Sequence, residues 1–104
     1  MSDRIKQLKQ FITEEPDDPF NHYALGLELL HIDQYQALDI FLQLSKTKKD
    51  YLPTYYQLGK LYEQLGKKEE AIQVVNEGII VARQQQDLKT LRELNSVLEE
   101  LNDD

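Results

Sequence analysis

Apolar residues recur at three- and four-residue spacing along nearly the whole chain, and no alternating run is long enough for a strand. The pattern predicts an all-α protein of about six helices. The first covers about Asp3 to Glu14 and stops at the turn "PDDP", bracketed by Pro16 and Pro19. The second starts near Pro19, with Asp18 as N-cap and the proline in the first turn, and runs to about His31. A third begins after Asp33 and ends among Lys46 to Asp50. The fourth opens at Pro53 and ends at Leu65-Gly66, where a glycine suits a left-handed cap. The fifth runs from about Lys67 to Gln85 and the sixth from Asp87 to Leu101.

Self-alignment turns six helices into hairpins. Leu25-Gly26 lies 33 residues before Leu58-Gly59, and Ala37 lies 34 before Ala71. Such a period is the signature of a stacked helical-hairpin repeat. The one-residue difference is expected in the turn, shorter around Asp33-Gln34 than around Gly66-Lys67. A glycine inside a helix costs about 1 kcal/mol relative to alanine. Small residues offset that cost by letting two helices approach at the close end of the usual range of about 8–10 Å.

The pattern resembles the tetratricopeptide repeat family, in the form of a small bacterial-type protein. The second hairpin carries Tyr55, Leu58, Gly59, Tyr62 and Ala71 in the family's aromatic-x-x-Leu-Gly-x-x-Tyr…Ala spacing, with Val75 where an aromatic is usual. The first carries Leu25, Gly26, Ala37 and Phe41, with His22 in place of the aromatic and Leu29 in place of the tyrosine. Neither hairpin has the closing proline, but Pro16 occupies that place for a preceding repeat. Counting back from it, Ile5, Leu8 and Phe11 stand where a second helix faces its neighbours. The last helix, with Asn95 in place of the glycine and two extra residues before it, resembles the start of a following repeat.

The resemblance implies antiparallel helical hairpins stacked in a right-handed superhelix. One domain, 1–104, is expected: a half-repeat helix at 1–15, repeats at 19–51 and 52–86, and a C-terminal helix at 87–104 that caps the stack. The stripe Leu88, Leu91, Leu94, Val97, Leu98 and Leu101 suits such a cap, with a dimer seam as the alternative.

Composition narrows the function classes. The net charge is −7, against the basic surface that phosphate contacts require, so no nucleic-acid partner is expected. Between Gln10 and Ser45 there are seven acidic residues and no Lys or Arg, whereas six lysines fall between Lys46 and Lys68. No apolar run is long enough to span a membrane, the N-terminus lacks an apolar leader, and there is no cysteine. A cytoplasmic protein is the expectation.

Catalytic chemistry finds little support. His22 and His31, nine residues apart on one helix, would lie on opposite faces and could not share a metal. There is no phosphate loop, nucleophile elbow or zinc-protease motif. The expectation is a non-enzyme with no cofactor and no metal site.

The segment from Phe20 to Ile32 points elsewhere, because it is apolar nearly all round and needs cover on every side. Ala24, Leu25 and Leu29 can meet neighbouring helices, which leaves Phe20, Tyr23, Leu27 and Leu30 or His31 as a second stripe. In the family that this chain resembles, the corresponding face lines a concave groove that holds ligands. Tyr56, Lys60 and Glu63 have the same offsets in the next hairpin. The lysine and asparagine with which some members clamp a terminal carboxylate are absent, since Tyr23 and Leu27 stand there. The expected function is therefore a protein–protein interaction adaptor or scaffold, holding a peptide or helix of a partner. One alternative is self-association into a homodimer through the same stripe. Another is cover by the chain's own last helix. A small-ligand carrier or an unrecognised enzyme stands behind these.

Overall fold

The computed structural model describes residues 3–103, and the first two residues of the half-repeat and Asp104 of the last segment lie outside them. The described residues form six α-helices and no strand: α1 Asp3–Glu14, α2 Pro19–Leu29, α3 Gln34–Thr47, α4 Pro53–Gln64, α5 Lys68–Gln85 and α6 Leu88–Asn102.

Local chemistry sets these boundaries. Asp18 accepts from the Phe20 amide at 3.0 Å, and Pro19 sits in the first turn, where its missing N–H goes unused. Asp33 accepts from the amides of Tyr35 and Gln36, and the Gln36 side chain donates back at 3.0 Å. Those bonds hold the Asp33 carboxyl below the ordinary aspartate value, the Gln36 side chain acting most strongly. Asp87 caps α6 in the same way through the Thr90 amide at 3.0 Å and hydroxyl at 2.9 Å, with the same lowering.

Two helices end on a left-handed residue. Gly66, at φ 76°, ends α4, and the Lys67 amide donates to the Tyr62 carbonyl at 2.8 Å. Gln86, at φ 58°, ends α5, and the Asp87 amide donates to the Ala82 carbonyl at 3.0 Å. Both are Schellman closures, one with glycine and one without.

The structure differs from the expected boundaries in two places. α2 ends at Leu29 rather than near His31, because the Ile32 and Asp33 amides both fold back to the Leu29 carbonyl and Asp33 then caps α3. Leu30 and His31 therefore belong to the turn, and only His22 of the two histidines lies on α2. The extra residue of the second repeat is not in its turn either. α4 runs six residues past Leu58, whereas α2 stops four past Leu25, and the connection 65–67 is the shorter one.

The chain divides into a compact unit ending at Tyr51 and another beginning at Leu52. In the first, α2 packs on both α1 and α3. Ile5 and Leu8 are buried, but Phe11, expected to face a neighbour, is exposed. Phe41 of α3 is fully buried with its ring against Gly26, where a Cβ would come within 2.6 Å of the ring.

In the second unit, α5 packs on α4 and α6, and α6 also touches α4. Leu94, Val97 and Leu101 of α6 are buried in one cluster with Tyr55, Val75 and Ile79. Two close approaches define this unit. A Cβ on Gly59 would lie 2.5 Å from Val75 Cγ2, and one on Gly78 would lie 2.6 Å from Tyr55 Cβ and 3.0 Å from Leu94 Cδ1.

Candidate interaction surface

The eight residues singled out in the sequence fall into two groups, five on the first unit and three on the second. On α2, one side turns Ala24, Leu25, Gly26 and Leu29 into the core. The other residues of the stripe remain partly open: Phe20 is 55% exposed, and Tyr23, Leu27 and Leu30 are half-buried. His31 is exposed in the turn, beside Ile32 and Tyr35, both 63% exposed.

Tyr23 is more than a surface residue. Its ring meets Phe41 at 5.9 Å between centroids and Tyr51 edge-on at 5.7 Å. Edge-to-face contacts of this kind add about 0.5–1.5 kcal/mol beyond burial. Burial pushes the Tyr51 hydroxyl above its ordinary value, with Tyr23 and Asp18 adding to the effect. Phe20 and Leu27 stand three residues before and four after Tyr23 on α2 and so share its face. Tyr51 carries no repeat signature, so nothing in the sequence pointed to it.

On α4, Tyr56 is 37% exposed. Lys60 lies 3.5 Å from Glu63 and 3.4 Å from Glu100 of α6. Burial works against the Lys60 charge, but the Glu100 and Glu63 carboxylates outweigh it and hold the ammonium above its ordinary value. α6 thus engages Lys60 through Glu100, Lys60 in turn pairs with Glu63 within α4, and Tyr56 remains exposed. Glu100 was not anticipated, because it stands 40 residues away in the chain.

Among the described residues no group of three or more His, Asp or Glu side chains could hold a metal, and no helix is long and apolar enough to cross a membrane.

Repeated helix pairs, glycines at their crossings and a partly open apolar face define a helical-repeat protein. Residues 20–104 match the family model described as anaphase-promoting complex subunit 5. A tetratricopeptide repeat domain protein from Salinibacter ruber, in a crystal structure, is 42% identical over 83% of this chain and 98% of its own, with a TM-score of 0.79. A solution structure of a tetratricopeptide repeat domain protein from the same organism is 43% identical over 85% of this chain and 90% of its own, with a TM-score of 0.80. A Bordetella parapertussis protein with 22% identity shares the fold at a TM-score of 0.81, covering 97% of this chain and 89% of its own. Among curated proteins none matches. The chain belongs to the tetratricopeptide repeat family, within the group of repeat helices that the family model describes.

Proposed function

We propose that the protein is an interaction adaptor, not a catalyst, and that it takes a peptide or helix of a partner protein on its apolar stripe. Phe20 and Leu27 of α2 are the anchors, Tyr23 is the wall behind them, and Leu30 and His31 border the end of the helix. On the second unit, Tyr56 with Lys60 and Glu63 beside it is a contact surface of its own. The observation that carries this reading is Phe20, 55% exposed at the head of a helix whose opposite face is fully used by the core. Large apolar side chains left outside the core are the usual anchors of an interface. The family model's description, a subunit of a larger complex, supports an assembly role.

The test uses Phe20→Glu and Tyr56→Glu, because both side chains are exposed outside the core. Each variant should melt like the parent and lose capture of the native partner that its own surface holds. Tyr23→Glu is unsuitable, since its ring supports Phe41 and Tyr51. Light scattering on the parent separates the alternative: a stable dimer that Phe20→Glu converts to monomer would mean that the stripe serves self-association.

A further inference from the structure

A second site lies elsewhere on the first unit. A pocket of about 580 Å³ opens between the Pro16-Asp17 turn, His22 of α2 and the α3 segment from Asp39 to Lys48. Its origin is visible in the repeat. His22 stands 33 residues before Tyr55, and Leu44 stands 34 before Gly78. In the second unit Tyr55 is only 3% exposed and is packed directly over Gly78. In the first, an imidazole replaces the phenol, and its Nε2 donates to the Pro16 carbonyl at 2.8 Å. A carbonyl can only accept, so Nε2 carries the proton. The smaller, tethered ring leaves open the space beside it.

The lining has a definite chemistry. Leu44, 3% exposed, and Ile40 give an apolar floor. Asp17 and Asp39 stand at the rim, and neither carboxylate has a hydrogen bond or ion pair among the described residues. Lys48 is the one cationic side chain in the lining. The lining thus carries two carboxylates against one ammonium, a balance that suits a cation.

We infer that this pocket is a binding site for an arginine side chain of a partner protein. A guanidinium is planar and weakly hydrated, stacks on flat groups such as imidazole, and bonds carboxylates with two parallel N–H donors. A lysine ammonium would give up more hydration over the Leu44 floor, and an anion would meet two unpaired carboxylates. The volume exceeds what one side chain fills, so an apolar residue beside the arginine enters with it.

The experiment is an amide NMR titration of the full chain with acetyl-Arg-Leu-amide, acetyl-Lys-Leu-amide and acetyl-Glu-Leu-amide. The arginine peptide should give saturable shifts centred on His22, Asp39 and Gln43. Asp39→Asn, a change at an exposed position, should weaken it about tenfold or more. His22→Tyr should fill the space, abolish the shifts and raise the melting temperature. Phe20→Glu should leave them unchanged, which separates this site from the stripe. Absence of saturable shifts, equal shifts from the glutamate peptide, or full binding by Asp39→Asn would each overturn the assignment.

Discussion

The hairpins α2–α3 and α4–α5 fill one frame with opposite choices of size. In the first, the bulk comes from α3: Phe41 packs on Gly26, while the position of the signature aromatic holds His22. In the second, the bulk comes from α4: Tyr55 packs on Gly78, while Phe41's counterpart is Val75 against Gly59. Each crossing pairs a glycine with a larger side chain, yet the helix that supplies the larger one changes. A helical repeat keeps complementarity at its crossings rather than particular residues. Where the exchange is incomplete, as at His22 opposite Leu44, space is left at the surface.

The largest effect should come from Phe41→Ala, which removes a fully buried ring that also supports Tyr23. A loss of about 3–5 kcal/mol is expected in urea unfolding. A drop of under about 1 kcal/mol would mean that the first hairpin does not depend on its aromatic.

The two crossings of the second hairpin should then separate by rescue. Gly59→Ala and Gly78→Ala should each cost about 1–3 kcal/mol through overpacking. The atom in the way of Gly59→Ala is Val75 Cγ2, which Val75→Ala removes, so that pair should be strongly non-additive. At Gly78 the obstacle is Tyr55 Cβ, which Tyr55→Ala retains, so trimming the tyrosine should bring no comparable relief. Equal rescue at both sites would erase the distinction.

Helix ends give a smaller contrast of the same kind. Gly66 adopts its left-handed φ without strain, whereas Gln86 does so with a side chain, at about 1 kcal/mol. Gln86→Gly should therefore stabilise by about 0.5–1 kcal/mol, and Gly66→Ala should destabilise by a similar amount. A thermal melt of each variant decides.

The smallest effect is the acid response of the caps. The folded-state pKa values of Asp33 and Asp87 are lowered, so their contribution is complete above the ordinary aspartate value and fades as pH falls through the lowered one. Asp33→Asn with Asp87→Asn should flatten the stability profile in that acid window, the loss relative to the parent being greatest near neutrality and fading as the parent's carboxylates protonate.

The helix ends were legible because short-range chemistry writes them. Asp18, Asp33 and Asp87 each bond an amide of their own helix within three residues, and Gly66 closes α4. His31 falls outside its expected helix because the apolar pattern continues past Leu29 while the Asp33 cap forces the chain out of the helix. The environment of the stripe was less legible. Tyr23 meets Tyr51 across a hairpin, and Lys60 meets Glu100 from another helix, and periodicity does not encode such contacts. Gly78 left a readable trace, an isolated glycine within a helix, but its meaning required Tyr55 to be in place.

The order of helix contacts has a kinetic consequence. α1 touches α2, α2 touches α3, α4 touches α5 and α5 touches α6; the longest of these helix-to-helix links, α4 to α6, skips only one element. Little chain entropy must be lost before such contacts form, and topologies of this kind fold in roughly microseconds to milliseconds. Either hairpin can serve as the nucleus, as in other one-dimensional repeats. A change confined to one nucleus, such as Phe41→Ala, then diverts folding flux through the other hairpin. Stopped-flow refolding should show a smaller change in folding rate than the loss of stability would suggest, with most of the difference in unfolding.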